Sequence, residues 1–518
     1  MKYVVGVDVG TTSSRAVVFD EKGNVLGMNQ KLNPLYEPGP IGWLECKGEE
    51  LIENVYEVVH NAIQDAINNN VDKNNIVAIS FTMFRCTMIT RDENGGFITP
   101  IIMWQDIRGG EAIPYMESCL KKKNMSFDDL YDICAMPTSA CLPSTKLYWT
   151  MINKKEEFKK CCRVHTTMGL LTKAFGADDY YDDFTNTPWL QLNGKDMQYS
   201  DELCNIFGVD KRILAPLRKP GEIIGKVTKE VSDRTLLPEG TLLVMGIGDQ
   251  QSGVLGLGCT EEGIGYACGG TAGVTAGRSN KIIRDPKRKC YILGTPDGTY
   301  EMEGQANSSA SVFKWFKDNF CNDMKIEGED IYDTMTSCAL QSAPGSRGVI
   351  FLPYMMGANT PNYDENARGT FVGLTLTHKR SDIIRSIMEG IVFDMKDMIQ
   401  AMEEAKVPTL KEVRVTGGIA RSDIWNQMQA DIYNKEVVTT EYEEATVLGS
   451  AIIATVGAGI YNNLNDAAEN MVHIKKRYYP NQSNVIIYEN LYKIWKHAFK
   501  EYSGSVYDDL AIFQSKNY

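Results

Sequence analysis

Two glycine-rich turns carry the residues of this sequence that are best suited to binding phosphate. The first is DVGTTSSR, Asp8–Arg15. Its glycine lets the backbone approach a ligand closely, while hydroxyls, amides and a guanidinium suit phosphate oxygens. Asp8 could hold Mg²⁺ directly or through water, because hard cations prefer oxygen ligands. A plain polar hairpin would have the same composition, so this motif alone leaves both interpretations open. The candidate phosphate-binding residues are Thr11, Thr12, Ser13 and Arg15.

The second turn repeats the plan of the first far downstream. The segment GIGYACGGTAGVTAGR again places glycine and threonine between two apolar runs, with Gly270 and Thr271 at the turn. Two such hairpins could hold the β- and γ-phosphates of a nucleotide from two sides, which a single structural turn would not require.

A third segment has the pattern of a strand, a glycine pair and a helix. VRVTGGIARSDIWNQMQADI has a strand-like run ending at Thr416, then Gly417 and Gly418, then a helix that Ser422 would cap. Paired glycines at such a place leave room for a flat ring or a phosphate against the backbone. Because two glycines before a helix are common, this segment is weak evidence by itself.

Strands and helices alternate around these turns. Residues 49–67 have apolar side chains at helical spacing and precede the strand-like run IVAISFTMF, which ends near Phe84. Residues 381–402 form a second amphipathic pattern, with a methionine stripe that we expect in the core. This recurrence predicts an α/β protein, and the repeated hairpin suggests two similar domains with a short crossing near residues 246–258.

The composition excludes several classes of protein. The chain has 518 residues with a net charge of −13, which argues against nucleic acid or an anionic membrane as the main partner. Its length predicts two to four domains. The amino terminus lacks the apolar core of a secretion signal, and the longest uncharged apolar run, residues 447–461, is shorter than the roughly 18 to 20 residues that span a bilayer. Small residues in that run suggest tight packing instead.

Cysteine and histidine usage restricts the chemistry further. The 13 cysteines form no Cys-x-x-Cys pair, and without a secretion signal we expect reduced thiols in a cytoplasmic protein. The five histidines are far apart in the sequence, which disfavours a histidine metal site or a Ser-His-Asp triad. We therefore expect the chemistry to depend on carboxylates.

These segments, in this order, resemble the FGGY family of carbohydrate kinases, and the resemblance extends over nearly the whole chain. Further matching segments are WQDIR at 104–108, GIGDQQSGVLGLG at 246–258, FLPYMMGANTP at 351–361, GTFVGLTLTHKRSDIIRSIMEGI at 369–391 and EATVLGSAIIATVGAG at 444–459. The resemblance implies two ribonuclease-H-like domains of the actin, Hsp70 and sugar-kinase ATPase type around a central cleft. We place them at 1–256 and 257–518. It also implies ATP and Mg²⁺ as cofactors and a sugar or polyol as partner, with no nucleic acid and no membrane, and it leaves a homodimer open.

The resemblance also assigns roles to single residues. Asp249 matches the aspartate that acts as general base on the acceptor hydroxyl. The matching phosphate contacts are the candidate residues of the two turns, Gly417 and Gly418 would lie against adenosine, and Asp8 is the expected metal ligand. Arg421 and Asn426 could reach the nucleotide or lie in solvent, and these alternatives stay open.

The acceptor pocket implied by the family is built mainly from the first domain. Trp104 would offer an apolar face, Asp106 would accept hydrogen bonds from hydroxyls, and Arg85 would donate them. Met83, Phe84 and Gln250 complete the predicted pocket. Xylulokinases usually have Met-His-Gly where this chain has Met83-Phe84-Arg85. A ketopentose such as xylulose is the first expectation, with glycerol, erythritol, gluconate and autoinducer-2 as alternatives.

Two other classes of protein were compared with this interpretation. A non-catalytic actin-like or Hsp70-like ATPase switch would need the nucleotide residues but neither Asp249 nor the segment 104–108. A Rossmann dehydrogenase is disfavoured, because no G-x-G-x-x-G follows the first strand.

Overall fold

A computed structural model describes residues 1–185 and 192–517 of the chain. Strands and helices alternate along these residues, as the sequence predicts. The strands are β1 (Tyr3–Val9), β2 (Ser13–Asp20), β3 (Val25–Leu32), β4 (Glu45–Cys46), β5 (Ile76–Met83), β6 (Met88–Asp92), β7 (Phe97–Ile102), β8 (Cys161–His165), β9 (Leu192–Asn193), β10 (Gln198–Tyr199), β11 (Ile223–Lys226), β12 (Leu242–Gly248), β13 (Ile264–Gly269), β14 (Gly273–Ser279), β15 (Tyr291–Gly294), β16 (Tyr300–Ala306), β17 (Ile350–Leu352), β18 (Thr370–Val372), β19 (Glu412–Thr416), β20 (Glu436–Thr440) and β21 (Ile474–Tyr478).

The helices are α1 (Gly48–Asn68), α2 (Ile113–Lys121), α3 (Phe127–Cys134), α4 (Pro143–Asn153), α5 (Lys155–Phe158), α6 (Thr167–Phe175), α7 (Asp201–Ile206), α8 (Lys229–Thr235), α9 (Asp249–Gly256), α10 (Ala310–Phe320), α11 (Ile331–Ala339), α12 (Arg380–Glu404), α13 (Asp423–Tyr433), α14 (Ala445–Gly457), α15 (Leu464–Met471), α16 (Gln482–Tyr502) and α17 (Val506–Asn517). In the part of the chain that the structure describes, none of these helices is both long enough and apolar enough to cross a membrane.

The chain forms two compact units. The first unit contains Met1–Thr260, Ile292–Tyr300 and Glu444–His473, and the second contains Glu261–Tyr291, Glu301–Glu443 and Ile474–Tyr518. These ranges differ from a single division after residue 256, because α14 and α15 belong to the first unit. The domain boundary between residues 256 and 257 stays a prediction from the sequence.

The main sheet of the first unit is built around the amino-terminal hairpin. Its strand order is β11-β12-β5-β1-β2-β3. The first three strands of the chain, β1, β2 and β3, are successively antiparallel, whereas β5 and β12 run parallel to β1. Central strands are almost continuously buried, as expected for a sheet covered on both faces. The apolar face of α1, which the helical spacing predicts, packs against this sheet.

Six strands of the second unit follow the same plan. They lie in the order β16-β14-β13-β19-β20-β21. The hairpin of β13 and β14 is antiparallel, β19 and β20 run parallel to β13, and the edge strand β21 is antiparallel to β20. The prediction of two similar α/β domains is therefore confirmed. The methionine stripe of α12 is buried in the core of this unit, as expected.

Glycine residues allow α14 to pack very closely within the first unit. A Cβ atom on Gly6 of β1 would lie 2.5 Å from the Val447 carbonyl oxygen, and one on Gly256 of α9 would lie 1.8 Å from the Ala445 carbonyl oxygen. Such distances leave no room for a side chain. Within segment 447–461, a Cβ atom on Gly449 would lie 2.0 Å from the Ser252 carbonyl oxygen, so this segment also packs tightly, as the sequence suggests.

Candidate active site

The carboxyl ends of three parallel strands meet at one edge of the first sheet. Val9, Met83 and Gly248 lie in register at the ends of β1, β5 and β12. The chain segments that leave these strands therefore begin side by side. Arg85 follows β5 and Asp249 follows β12, while the first glycine-rich turn follows β1. This edge brings together candidate residues that are far apart in the sequence.

The turn after β1 is held in shape by Asn33. The Gly10 amide donates to the Ser13 carbonyl at 3.0 Å, which closes the turn. The Asn33 side-chain amide donates to the Gly10 carbonyl at 2.6 Å, and its backbone amide donates to the Thr12 carbonyl at 2.8 Å. Thr12 is exposed, and Thr11 and Ser13 are partly exposed. The tip of the turn thus presents hydroxyls to solvent on a fixed backbone.

Asp8 lies near the end of β1 in a half-buried position. Thr446 Oγ1 donates to its Oδ2 at 2.6 Å. Loss of water around the carboxyl group raises the pKa of Asp8 to about 7. The Thr446 hydrogen bond and the Arg15 charge oppose this rise, whereas the negative charges of Asp249 and Glu444 add to it. A cation bound beside Asp8 would favour its ionised form.

The donor set at Asp8 suits a magnesium ion shared with phosphates. Within the described ranges, Oδ1 of Asp8 makes no hydrogen bond. Residues 1–185 and 192–517 contain no group of three or more His, Cys, Asp or Glu side chains that could hold a metal. Mg²⁺ in nucleotide sites is commonly bound by one or two carboxylates, with waters and substrate phosphates completing its coordination. A single available carboxylate oxygen fits that kind of site.

Arg15 is directed toward other side chains of the first unit. Its Nη1 forms an ion pair with Glu444, which precedes α14, and its Nη2 donates to Gln30 Oε1 at 2.8 Å. These contacts join the start of α14 to the β2 and β3 strands. The contact of Arg15 with phosphate therefore stays a prediction, while its structural role is visible.

Asp249 begins α9 and remains accessible. Its Oδ1 lies 3.6 Å from Arg85 Nε and accepts a hydrogen bond from the Gln250 amide at 2.9 Å. The side chain of Asp249 is 26% exposed and that of Arg85 is 10% exposed. An adjacent guanidinium and the start of a helix both favour a carboxylate in its ionised form. Asp249 is thus reachable from solvent, and its role as a base stays a prediction. Gln250 is also partly exposed.

Close packing explains why positions 246 and 248, just before Asp249, are glycine. A Cβ atom on Gly246 would lie 1.8 Å from the Phe81 carbonyl oxygen, and one on Gly248 would lie 2.8 Å from Arg85 Cδ. Gly246 thus lets β12 approach β5, and Gly248 leaves space for the Arg85 side chain. The Gly248 amide also donates to Thr185 Oγ1 at 2.8 Å.

Trp104 joins the predicted acceptor segment to the first turn. Its Nε1 donates to Thr11 Oγ1 at 2.7 Å, and the side chain is 37% exposed. An exposed indole offers an apolar face to the carbon side of a carbohydrate while its N–H group stays hydrogen-bonded. This geometry is compatible with the predicted contact between Trp104 and the acceptor.

Asp106 instead organises the loop that follows β7. It is fully buried, and its Oδ1 accepts from the backbone amide and from Nε of Arg108, both at 2.9 Å. Its Oδ2 accepts from Arg108 Nη2 at 2.7 Å and from the Leu44 amide at 2.6 Å. Arg108 also pairs with Glu45 at 2.8 Å. Asp106 thus supports the loop from inside, and its hydrogen bonds to a substrate stay a prediction.

Two other predicted acceptor residues are packed in the core. Met83 is completely buried and Phe84 nearly so, and both belong to the apolar cluster of the first unit. Their side chains hold the end of β5 in place. Contact of either side chain with a substrate is left as a prediction.

The second glycine-rich turn is fixed by the start of α10. The Gly270 amide donates to the Ala272 carbonyl at 3.1 Å. The Ser309 amide donates to the Thr271 carbonyl at 3.0 Å, and the Ala310 amide donates to the Gly270 carbonyl at 2.8 Å. The Thr271 side chain is exposed. Like the first turn, this one presents a hydroxyl on a braced backbone.

The glycine pair after β19 lies against that turn within the second unit. Gly417 has φ +86°, and a Cβ atom there would lie 2.7 Å from the Gly269 carbonyl oxygen. By contrast, a Cβ atom on Gly418 would have no neighbour closer than 4.0 Å, so open space lies beside it. The positive φ explains one glycine, and the open space beside Gly418 is compatible with a ligand.

A groove beside this pair gathers most of the predicted adenosine residues. Its lining includes Thr416, Gly417, Arg421, Asn426, Thr440 and Tyr478. Asn426 is buried and donates to the Ala420 carbonyl at 2.8 Å, which holds the loop before α13. Arg421 is exposed and pairs with Glu443 at 2.9 Å. Both residues thus line the groove, and their contact with a nucleotide stays a prediction.

Several supporting residues were not found from the sequence. Asn33 braces the first turn from a loop without a recognisable motif. Thr446 and Glu444 contact Asp8 and Arg15 from segment 444–459, which matched the family pattern and suggested tight packing but gave these two residues no role. The sequence signal that could have indicated this segment is Glu444, an acidic residue directly before an apolar helix.

Comparison with known proteins identifies the family. The model of the FGGY family of carbohydrate kinases, N-terminal domain, matches residues 3–256, and that of the C-terminal domain matches residues 266–458. A xylulose kinase of Lactococcus lactis subsp. lactis is 28% identical over 508 residues, which cover 97% of each chain. A gluconokinase of Bacillus subtilis is 28% identical over 498 residues, which cover 95% of this chain and 94% of the relative.

The fold agrees with that of a solved structure. The ligand-bound xylulose kinase from Lactobacillus acidophilus has a TM-score of 0.88 at 24% identity, covering 98% of this chain and 100% of that one. The two family models together match well over half of the sequence. The chain therefore belongs to the FGGY family of carbohydrate kinases and is an ATP-dependent phosphotransferase that acts on a sugar or polyol.

Proposed function

We propose that this kinase phosphorylates a ketopentose such as xylulose, with Asp249 as the general base. The observation that carries the proposal is the position of Asp249. Its partly exposed carboxylate lies beside Arg85, at the strand-end edge that also holds Asp8 and the first glycine-rich turn. A base, a donor for the acceptor and a phosphate turn in one unit are what such a transfer requires.

Asp249 removes the proton of the attacking hydroxyl in this mechanism. A sugar hydroxyl ionises far above neutral pH and is a poor nucleophile. A carboxylate within hydrogen-bond reach can accept its proton as the bond to phosphorus forms, which contributes roughly 10²- to 10⁴-fold in rate. Arg85, whose Nε lies 3.6 Å from Asp249 Oδ1, holds the carboxylate in place before the transfer.

The two glycine-rich turns bind the phosphates. In this proposal the hydroxyls and amides of Thr11, Thr12, Ser13, Gly270 and Thr271 hold the phosphate oxygens. Gly417 and Gly418 lie against the adenosine, with Arg421 and Asn426 beside it. Because the protein has a net charge of −13, phosphate binding has to be local rather than due to a general positive field. Mg²⁺ bound at Asp8 would neutralise charge on the phosphates.

The Arg85–Asp249 pair favours a neutral acceptor over an acidic one. Hydroxyl groups can donate to the carboxylate and accept from the guanidinium at the same time. A carboxylate acceptor such as gluconate would instead compete with Asp249 for Arg85 and would repel its charge. Gluconate stays the second candidate, because a gluconokinase is as similar to this chain as a xylulose kinase.

The acceptor is tested by measuring acceptor-dependent ADP release from the purified protein. The panel contains xylulose and other ketopentoses, glycerol, erythritol, gluconate and autoinducer-2. We expect the highest kcat/KM with a ketopentose. A higher value with gluconate or another acceptor would refute the substrate assignment and leave the kinase assignment intact. ADP release that no member of the panel stimulates would refute the ketopentose assignment and place the acceptor among sugars or polyols outside the panel.

The base is tested by Asp249→Asn. This variant should bind ATP as the wild type does and lose roughly 10²- to 10⁴-fold of kcat. Asp179→Asn is the matched control, because Asp179 is a partly exposed carboxylate that pairs with Arg163 at 2.9 Å elsewhere in the first unit. The control should keep its activity. Retention of most activity by Asp249→Asn would overturn the assignment of the base.

A further inference from the structure

Lys146 is a completely buried lysine in the first half of α4. Its Nζ donates to the carbonyl oxygens of Met103 at 2.6 Å, Cys86 at 2.8 Å and Trp104 at 3.4 Å. An ammonium group has three donors, and three carbonyl oxygens satisfy them. Among the described residues, no carboxylate forms a salt bridge with Lys146. The side chain is therefore committed entirely to backbone.

The three carbonyl groups belong to the two segments that carry the proposed acceptor residues. Cys86 directly follows Arg85, and Trp104 itself supplies one of the carbonyl groups. One ammonium group thus ties the loop after β5 to the loop after β7. Cys86 has φ +63°, a conformation that side chains other than glycine rarely adopt, so its carbonyl is presented by a strained turn.

Joining two loops through a buried ammonium group is energetically unfavourable. Burying an ammonium group without a carboxylate partner costs free energy, and an apolar side chain of similar length would fill the same space without that cost. Burial lowers the pKa of Lys146 to about 8. The Cys141 and Cys86 thiols and the Asp106 carboxylate oppose this lowering, while the Arg108 charge adds to it.

We propose that Lys146 is a positioning residue for the phosphoryl acceptor, because it fixes the spacing of Arg85 and Trp104 through the carbonyl groups of Cys86, Met103 and Trp104 without touching the substrate. The proposal rests on the proposed function, which puts Arg85 beside the acceptor, and on the predicted contact of the acceptor with Trp104. Its consequence is specific, since loosening the two loops should weaken acceptor binding more than nucleotide binding.

Lys146→Met tests the proposal directly. Methionine fills a similar volume and lacks all three donors. We expect the KM for the acceptor to rise at least tenfold, with the KM for ATP within twofold of wild type. Lys396→Met is a control in the second unit, because Lys396 is a buried lysine that donates to the Ile432 carbonyl at 2.8 Å and, unlike Lys146, also pairs with Glu489 at 2.5 Å. The control should lose stability without changing the acceptor KM.

The wild-type enzyme provides a test that needs no folded variant. A neutral amine has two N–H donors, so deprotonation of Lys146 leaves one carbonyl without its partner. The acceptor KM should therefore rise several-fold between pH 7 and pH 9.5 while the ATP KM does not. Burial raises the pKa of Cys86 to about 11, so this thiol stays protonated in that range. Cys141→Ala should keep the pH response if Lys146 causes it.

Two results would overturn the proposal. One is an acceptor KM in Lys146→Met within twofold of wild type, and the other is a wild-type acceptor KM that is constant from pH 7 to pH 9.5. Arg85→Ala and Trp104→Ala separate this failure from failure of the proposed function. If both of these variants raise the acceptor KM and Lys146→Met does not, only the role of Lys146 is wrong. If neither raises it, the acceptor site itself is misplaced.

Discussion

Replacing Asp106 with asparagine distinguishes a structural carboxylate from a substrate-binding one. The buried carboxylate accepts four hydrogen bonds, three from Arg108 and one from the Leu44 amide. An asparagine side chain has one acceptor oxygen in the same shape, so two of these donors lose their partner. Within the described ranges, Arg108 would keep only Glu45 as a charged partner, at 2.8 Å. Removing one member of a buried ion pair costs about 3–5 kcal/mol, which is the expected loss of unfolding free energy.

Equilibrium unfolding in urea at constant pH measures this loss. Asp210→Asn is the matched control, because Asp210 accepts the same three kinds of hydrogen bond from Arg212 on the exposed surface. That variant should unfold close to the wild-type midpoint, since solvent replaces the lost contacts. The reasoning would be refuted if Asp106→Asn kept wild-type stability while its acceptor KM rose tenfold. Asp106 would then bind the substrate directly.

Two further predictions concern the main sheet of the first unit. In magnesium-free buffer, the contribution of Asp8 to the free energy of unfolding should fall as pH rises from about 4 to about 8. The reason is that the pKa of Asp8 is about 7 in the folded protein and 3.8 ordinarily, so the folded state binds the extra proton. Urea unfolding of wild type and Asp8→Asn at pH 5 and pH 8 measures this contribution. The free energy of unfolding should fall more between these pH values in the wild type than in the variant, and an equal fall would contradict the argument. Gly246→Ala should lower the thermal midpoint strongly, because its Cβ would lie 1.8 Å from the Phe81 carbonyl oxygen. Gly110→Ala should leave the thermal midpoint unchanged, because its Cβ would meet the Ala140 side chain at an ordinary 3.5 Å. Equal thermal midpoints for the two glycine variants would contradict the steric argument.

Features that depend on neighbouring residues could be predicted from the sequence. The two hairpins, the helices α1 and α12 and the glycine pair were found because their signals lie within one turn or one helix. The prediction of two similar α/β domains followed from the repeat of the first hairpin and is confirmed by the equivalent strand orders. Local patterns therefore predicted the elements and their plan.

Features that depend on burial could not be predicted in this way. The Trp-Gln-Asp motif contains a carboxylate that looks available, yet Arg108, two residues later, uses both oxygens of Asp106 inside the protein. A sequence does not show whether a charged side chain points into the core or into solvent. The same reason hid Lys146, which reads as a surface residue of an amphipathic helix until its burial is known.

Features that join distant parts of the chain were also hidden. Thr446 and Asp8 are 438 residues apart, and no pattern in either segment indicates their hydrogen bond. The proposed catalytic role of Asp249 came from resemblance to a family, whereas local pattern had already indicated phosphate binding at the two turns. Both assignments remain predictions until the variants are measured.

The position of α14 affects how the protein is made. The ribosome completes β1, β5, β12 and α9 long before it synthesises Glu444–His473, which belongs to the same compact unit. During that interval, the narrow glycine-lined surface on Gly6 and Gly256 has no helix to cover it. The partner of Asp8 is also missing until Thr446 emerges. The first unit therefore cannot complete its packing until residues 444–473 have been synthesised, and a nascent chain that stalls before residue 444 has an incomplete core.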